Sequence, residues 1–378
     1  MSGRVADVEL NALESLVRDA EGVDVLYVLL REGGRPVGRI VLENLHALDP
    51  AAARRLAEEV ATPARTAREE DAPPIPAAAL SVVVASRDRP ESLGRTLAAM
   101  QRLTPQPGEL IVADSGSQDR AAVAATAEAH GARCVRLDRP GLSLARNAGA
   151  AAASGEAVAF LDDDCVADPG WASALCRGFA DPTAVVVTGQ LLPAELETEA
   201  QVLFLRYAHM DRRGFVPVRF SAASPPSKHW PLDAWRMGSG GNLAVRRSAF
   251  ARLGGFREDL GLGTPARGGE DLFLLWQAIR TGAAVVYRPD ALAWHAHHRT
   301  GEALENVLFG YGVGHAAYLR AARQAGAPAA TVARYRAMVF WDRTKRYARA
   351  LFSGDTAVRH LVAREIAGMR AASTERTP

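Results

Sequence analysis

The sequence predicts an α/β protein with a mostly parallel central sheet, a small N-terminal α+β appendage and C-terminal helices. Apolar runs with little alternation, at 80–84, 109–113 and 157–161, are typical of strands that are covered on both faces. Helical stretches at 90–100 and about 144–153 separate these strands, and this alternating order favours a largely parallel sheet. Ligands of such a sheet gather at the carboxyl ends of its strands.

The chain divides into four predicted segments. Residues 1–60 are expected to form a small hairpin and helix, with the helix at about 50–59, and 61–78 form a linker rich in Ala, Pro and charge. Residues 79–300 are the α/β domain, and 301–378 are a helical region. The first unit contains no residues that we interpret as catalytic, so we expect a structural role for it, with partner binding as the alternative.

Composition and charge are those of an ordinary globular protein. Of 378 residues, 48% are hydrophobic and 23% are charged, and the formal net charge is +2. This balance argues against a nucleic-acid partner. The three cysteines lack metal-type spacing and are typical of reduced thiols. With no signal-peptide pattern and no long apolar run that could span a bilayer, a cytoplasmic location is expected.

The C-terminal stretch 334–352 mixes basic and aromatic side chains. This pattern favours a packed helix with a solvated basic face. The alternative is peripheral contact with the inner membrane face, because a helix of this kind can lie on an anionic membrane surface.

Three consecutive carboxylates, Asp162, Asp163 and Asp164, end one predicted strand. Because alternate side chains of an extended segment share a face, Asp162 and Asp164 are expected to point into one site. Crowded carboxylates repel one another unless a cation lies between them, and oxygen ligands suit Mg²⁺ or Mn²⁺. A divalent cation there could neutralise a departing diphosphate. The alternative is a solvated acidic turn.

Two further polar positions follow other elements of the sheet. Asp114 comes directly after the second strand, where a carboxylate can meet a ribose or a base, and Arg146 lies near the start of a helix, where a guanidinium suits a phosphate or a base. The ordinary alternatives are a polar turn for Asp114 and a surface side chain for Arg146. Together with the acidic run, these positions suit the parts of a nucleotide diphosphate.

Two more positions have a structural and a functional interpretation. Asp271 follows Gly268-Gly269 and precedes an apolar run, so it is predicted in a first helical turn, where carboxylates commonly cap free amides. His295 and His297 lie two residues apart in an extended segment and should share a face. An all-histidine zinc site is not expected, because the other predicted ligands are carboxylates.

Ten short segments occur in a characteristic order: SVVVASRDRP (81–90), DSGS (114–117), ARNAG (145–149), GE (155–156), FLDDD (160–164), DPGW (168–171), GGNLAVRR (240–247), GGF (254–256), GED (269–271) and WH (294–295). This series resembles family 2 glycosyltransferases of the GT-A fold. The resemblance covers about 79–300. It implies an inverting, metal-assisted transfer of a sugar from a UDP-, GDP- or dTDP-sugar to a hydroxyl of a glycan, lipid-linked or small-molecule acceptor.

The resemblance implies donor contacts for several residues. Asp114 would bind the uracil or ribose, Ser86 and the backbone near Arg87 would shape the base pocket, and Arg146 would approach the base or phosphates. The segment 85–88 reads Ala-Ser-Arg-Asp where relatives usually carry Pro-Thr-Tyr-Asn. The aromatic residue that often stacks on the base is therefore missing, and Arg87 could stack in its place.

The resemblance also implies a metal site of the DXD type. Asp164 would be the main carboxylate ligand of Mn²⁺ or Mg²⁺, Asp162 would contact the metal or the ribose, and Asp163 is grouped with the donor-binding residues. His295 would add a metal or phosphate contact.

The remaining implied roles concern the acceptor. Asp271 would be the general base, with Glu270 supporting it or meeting the acceptor. The segment 206–238, including Trp230, is predicted to form the acceptor side together with Asn242.

Two other functions compete with this one. A sugar-phosphate nucleotidyltransferase would usually carry a glycine-rich basic loop after the first strand, and residues 85–90 lack glycine. A non-catalytic nucleotide-sugar-binding module would tolerate the loss of Asp271, which is present in its expected context.

Overall fold

The computed structural model describes residues 3–20, 22–43, 45, 49–66, 74–208 and 214–374. The strands are β1 Gly3–Glu9, β2 Val25–Glu32, β3 Arg35–Glu43, β4 Leu80–Ser86, β5 Glu109–Ser115, β6 Arg133–Leu137, β7 Ala157–Asp162, β8 Cys165–Ala167, β9 Ala184–Pro193, β10 Val218–Phe220, β11 Asn242–Arg246 and β12 Ala284–His295. The helices are α1 Leu13–Arg18, α2 Pro50–Thr66, α3 Pro90–Met100, α4 Arg120–Ala129, α5 Leu142–Ala152, α6 Trp171–Arg177, α7 Glu199–Ala208, α8 Arg247–Leu253, α9 Glu270–Arg280, α10 Gly301–Gln324, α11 Ala329–Phe352 and α12 Thr356–Thr374.

The central sheet contains nine strands, in the order β10-β12-β9-β11-β7-β4-β5-β6, with β8 paired to β12. Strands β4, β5, β6 and β7 are mutually parallel, and β9 and β12 run in the same direction. Strands β8, β10 and β11 run the opposite way. The predicted α/β fold with a mostly parallel sheet is therefore confirmed.

Buried side chains cover both faces of this sheet, which explains the continuous apolar runs. Val83 and Ile111 belong to one core cluster, whereas Val82, Val84 and Val112 belong to the cluster on the other face. This arrangement fixes the register of the parallel strands, since a one-residue slip would exchange the two faces. It thereby brings the polar ends of β4, β5 and β7 to one edge.

A separate three-stranded sheet forms the N-terminal unit. The predicted hairpin is present as β2 and β3, but β1 also pairs with β2 in parallel, and this strand was not predicted. The half-exposed pattern of β1 explains the miss, because it lacks an apolar run. The helix predicted at about 50–59 is longer: α2 continues to Thr66, so residues 61–66 of the predicted linker are helical. Residues 67–73 lie outside the described part.

The N-terminal unit packs against the central sheet. Leu192 and Leu292, from the ends of β9 and β12, lie in the same apolar cluster as the residues of β2. Arg31 pairs with Asp168 at the end of β8, and the amide of Gly3 donates to the carbonyl of Leu196 at 2.8 Å. The unit therefore supports the end of β12 that carries His295.

Helices α10, α11 and α12 follow the sheet, as predicted for residues after 301. A Cβ added at Gly314 would lie 2.9 Å from the backbone of Gly268, so α10 passes directly over the residues that precede α9. In the described part of the chain, none of the helices combines the length and the apolar character that a membrane span requires.

Candidate active site

The predicted donor residues lie at the carboxyl edge of the central sheet. Ser86 of β4 is in register with Asp114 of β5, and Ala85 is in register with Asp162 of β7. Each strand ends at or next to these positions, so the polar side chains meet where the parallel strands end. Motifs that are far apart in the sequence therefore lie close together in the structure.

The acidic turn after β7 is held by a cation that the sequence did not single out. Nη1 of Arg89 lies 2.7 Å from Asp163, and its Nη2 lies 3.0 Å from Asp164. Asp163 also accepts a hydrogen bond of 2.6 Å from the hydroxyl of Ser86. Burial raises the pKa of Asp163 to about 6, against the opposing effect of Arg89. Asp163 and Ser86 therefore stabilise the turn from its buried side.

Asp164 directly precedes β8, which pairs with β12, and this pairing brings Asp164 next to His295 at the end of β12. Nε2 of His295 lies 3.2 Å from Oδ1 of Asp164. Burial acts to raise the pKa of Asp164, but His295 and Arg89 outweigh it and hold this pKa well below its ordinary value. In turn, Asp164 raises the pKa of His295 against the effect of burial. Together they form an anionic carboxylate beside an imidazole at the sheet edge.

This pair belongs to a set of side chains that could hold a cation. One ligand atom each from Asp164, Cys165 and His295 lies within 4.8 Å of the others. A carboxylate ligand suits Mn²⁺, and the imidazole offers one nitrogen ligand beside it. Burial, together with the adjacent aspartates, raises the pKa of Cys165 well above its ordinary value, so it remains a thiol, which is a poor ligand. Asp162, which we predicted in the same metal site, lies outside this set.

His297 has a supporting position. Its Nδ1 lies 2.7 Å from Nδ1 of His295, and the side chain is buried against Phe204. Burial and His295 lower the pKa of His297 to about 3, so it is neutral at physiological pH. A neutral His297 can orient the ring of His295 through this contact.

Arg146 links the acidic strand end to the start of α9. Its guanidinium is buried and donates to Asp162 at 2.7 Å and to Glu270 at 2.9 Å. Burial acts to lower the pKa of Arg146, but the two carboxylates raise it, so it is a fixed cation. Burial and the neighbouring Asp271 raise the pKa of Glu270 to about 7, although Arg146 opposes this shift. The predicted Arg146 is therefore a bridging residue rather than a surface side chain.

Asp271 lies in the first turn of α9, as predicted. Its Oδ2 accepts a hydrogen bond of 2.8 Å from the amide of Gly240, and its Oδ1 accepts one of 2.7 Å from the amide of Leu272. The preceding Gly269 has φ of +86°, which favours glycine, and an added Cβ there would lie 2.5 Å from the carbonyl of Gly314. The carboxylate is thus held from two sides at the edge of the site.

The chain matches the sequence model of "Glycosyl transferase family 2" over residues 81–254. This range contains the strand ends and the acidic turn described above. Residues 81–254 are a family 2 glycosyltransferase domain.

Individual proteins of known name are also similar to this chain. The chain is 30% identical over 225 residues to a pre-mycofactocin glycosyltransferase from Mycobacterium tuberculosis, covering 58% of this chain and 43% of that protein. It is 28% identical over 195 residues to a glucosyl-dolichyl phosphate glucuronosyltransferase from Haloferax volcanii, covering 48% of this chain and 57% of that one. The chain therefore spans about half the length of the curated relatives that it matches.

A solved structure confirms the GT-A fold. A mannosyltransferase from Pyrobaculum calidifontis, in complex with GDP-Man and Mn²⁺, superposes with a TM-score of 0.54. The two chains are 20% identical, and the match covers 86% of this chain and 96% of the other. At this identity the likeness concerns the fold.

Within the glycosyltransferase domain, Asp114 is buried and paired. It forms an ion pair with Arg136 of β6 and accepts a hydrogen bond of 2.9 Å from the amide of Ser117. Arg136 was not predicted, because an isolated arginine in a short strand gives no signal in the sequence. Arg87 is exposed and lies 3.4 Å from Asp88, so the structure leaves its side chain accessible from solvent.

The structure bears on two residues that were predicted on the acceptor side, Asn242 and Trp230. Asn242 is fully buried: its amide donates to the carbonyls of Gln190 and Ala291 and accepts from the indole of Trp171. It therefore stabilises the sheet and is not available to an acceptor. Trp230 is partly buried, stacks on Phe220 and donates to the carbonyl of Ser221 at 3.0 Å. Residues 209–213 of the predicted acceptor segment lie outside the described part.

Proposed function

We propose that this protein is an inverting glycosyltransferase that moves a sugar from a nucleotide-diphosphate donor to an acceptor hydroxyl. The proposal depends most on one observation, the bridge from Asp162 through the buried Arg146 to the buried Glu270. This bridge ties the acidic strand end to the start of α9, where Asp271 lies. A donor-side carboxylate cluster and a base candidate are thus held at one sheet edge.

The donor would bind along the ends of β4, β5 and β7. Asp114 is buried with its oxygens held by Arg136 and the amide of Ser117, and it would contact the ribose or base once the donor replaces one of these partners. Arg89 and Arg146 are cations beside the acidic turn, where they favour a bound diphosphate. Binding the diphosphate would let Arg89 exchange a carboxylate partner for a phosphate.

The residues present fit a divalent metal ion. Asp164 and His295 would hold it, with Asp162 adjacent; the carboxylate oxygens suit Mn²⁺ or Mg²⁺, and the imidazole nitrogen favours Mn²⁺ over the harder Mg²⁺. When bound, such an ion supplies positive charge that stabilises the departing diphosphate. The supporting His297 and Arg89 would keep the ligands oriented.

The reaction itself would be a single displacement. The acceptor oxygen forms a bond to the anomeric carbon as the bond from that carbon to the diphosphate oxygen breaks. Asp271 takes the proton from the acceptor hydroxyl, with its carboxylate oriented by the amides of Gly240 and Leu272. Attack from the opposite face inverts the anomeric configuration. Glu270 supports the base through its contact with Arg146.

Product analysis tests this proposal. The protein is incubated with UDP-, GDP- and dTDP-sugars, Mn²⁺ and a panel of hydroxyl acceptors, and products are identified by mass spectrometry and NMR. We expect a nucleoside diphosphate and a glycosylated acceptor of inverted configuration. Release of pyrophosphate would identify a nucleotidyltransferase, and tight nucleotide-sugar binding without turnover would identify a binding module.

A further inference from the structure

Helix α11 presents a basic and aromatic face to solvent. Residues 334, 341, 345, 349 and 352 are spaced by seven, four, four and three positions, so they lie on one side of the helix. We call Arg334, Trp341, Lys345, Arg349 and Phe352 the outer face of α11. The opposite side, with Tyr335, Val339 and Ala350, is buried against the rest of the protein.

The apolar part of this face is unusually exposed. Trp341 is 59% exposed and Phe352 is 89% exposed. The adjacent Leu351 is 50% exposed, and Tyr347 also lies partly in solvent. Of the nine exposed large hydrophobic side chains in the described part of the chain, four belong to α11. Such a concentration marks an interaction surface.

The charged part of the face is available for an anionic partner. Arg343 and Arg346 of α11 turn inward, where they contact Glu365 and Tyr207, respectively. The single acid of α11, Asp342, lies 2.9 Å from Arg343. No carboxylate of a described residue pairs with the three cations of the outer face, and Lys345 lies over the ring of Trp341 at 5.3 Å.

We infer that the outer face of α11 docks the protein on a bilayer containing anionic phospholipids. Aromatic side chains at this kind of face enter the boundary between headgroups and acyl chains, while the flanking cations meet the phosphates. A second copy of the chain is a poorer occupant, because a symmetric contact would bring the cations of two such helices together. The inference does not depend on the catalytic proposal.

Vesicle sedimentation with the full chain tests this inference. We expect wild-type protein to bind phosphatidylcholine vesicles that contain about 30 mol% phosphatidylglycerol, and to bind pure phosphatidylcholine far more weakly. Binding should weaken as the salt concentration rises from about 0.1 M to about 1 M. The double variant Arg349→Gln/Phe352→Ala should lower the partition coefficient about tenfold or more.

A matched control comes from helix α2. Arg55 and Leu56 are an exposed cation and an exposed apolar residue of the N-terminal unit. The variant Arg55→Gln/Leu56→Ala removes the same kinds of group and should bind vesicles like the wild type. Equal losses in both double variants would mean that the binding is not located on α11.

Quenching by brominated lipids gives a second measurement. Trp341 should enter the bilayer, so brominated acyl chains should quench part of the protein's tryptophan emission. In Trp341→Phe this quenching should disappear while most of the binding remains. The inference is overturned if wild type does not bind anionic vesicles at low salt, or if the α11 double variant binds as well as wild type. It is also overturned if light scattering shows a dimer that the α11 double variant dissociates.

Discussion

The amide of Gly240 donates a hydrogen bond of 2.8 Å to Oδ2 of Asp271. Gly240 precedes β11, which lies beside β7 in the sheet, so this bond connects the proposed base to the strand next to the acidic turn. An added Cβ at Gly240 would lie 2.8 Å from Cβ of Asp271 and 3.0 Å from Arg146. Glycine at this position therefore permits the close approach of the base to the sheet edge.

Replacing Asp271 tests its role as the base. Asp271→Asn keeps an acceptor for the amide of Gly240 but cannot take a proton, so we expect kcat to fall about 10²- to 10⁴-fold. Affinity for the nucleotide diphosphate, measured by calorimetry, should stay within a factor of about two, because Asp271 is not placed against the donor. Glu302→Gln, which changes an exposed first-turn acid of α10, is the control. Normal turnover by Asp271→Asn would refute the assignment.

Replacing Gly241 tests whether catalysis depends on the position of Asp162. An added Cβ at Gly241 would lie 2.4 Å from Oδ2 of Asp162, so Gly241→Ala should displace this carboxylate. We expect catalytic efficiency to fall about a hundredfold, as for a misplaced positioning group. Gly301→Ala is the control, because a Cβ there meets open space. If Gly241→Ala matches the control in steady-state kinetics, the position of Asp162 does not matter.

The raised pKa of Glu270, about 7, predicts a pH-dependent stability. An unfolded glutamate titrates near about 4.3. Between these values the folded protein holds a proton that the unfolded chain has released. The free energy of unfolding should therefore fall as pH rises through this window, by up to about 4 kcal/mol.

Glu270→Gln should reduce this decline, and the part that remains below about pH 6 comes from Asp163, whose pKa is raised to about 6. The measurement is urea denaturation of metal-free protein at several pH values between about 5 and about 8. Glu302→Gln, at an exposed site, should keep the wild-type slope. An unchanged slope in Glu270→Gln would show that another group is responsible.

Replacing Arg136 tests whether its charge stabilises the buried carboxylate of Asp114. Arg136→Ala would leave a buried carboxylate without its cation, which should lower the free energy of unfolding by about 3 kcal/mol. Arg133→Ala, on the same strand, removes a more exposed ion pair and should cost less than about 1 kcal/mol. Chemical denaturation of both variants gives the comparison. Equal small losses would mean that Asp114 does not depend on Arg136.

The sequence predicted the elements that bury continuous apolar runs. Strands β4, β5 and β7 and helix α3 were predicted within a few residues, because their patterns reflect burial on defined faces. Strand β1 was missed because its pairing with β2 comes from the tertiary structure and not from an apolar run. Likewise, α2 extends into the predicted linker, where alanines such as Ala61 and Ala64 are buried.

The site was predicted in part for similar reasons. The aspartates at the strand ends follow from topology, and the contact of Asp164 with His295 was expected only through the family resemblance. Arg89 and Arg136 were missed because an arginine has the same appearance in a sequence whether it is solvated or paired. Asn242 was wrongly predicted on the acceptor side. Its position in a glycine-rich motif does not show that its side-chain amide donates to backbone carbonyls of β9 and β12.

We propose that the carboxylates at the end of β7, with His295, would hold a divalent cation whose positive charge favours binding of a nucleotide diphosphate. Calorimetric titration of UDP, GDP and dTDP with and without Mn²⁺ tests this most directly, using wild type and Asp164→Ala. We expect at least one nucleotide to bind wild type tightly only when Mn²⁺ is present, and Asp164→Ala to lose that dependence. If all three nucleotides fail to bind wild type in the presence of Mn²⁺ or Mg²⁺, the claim is contradicted.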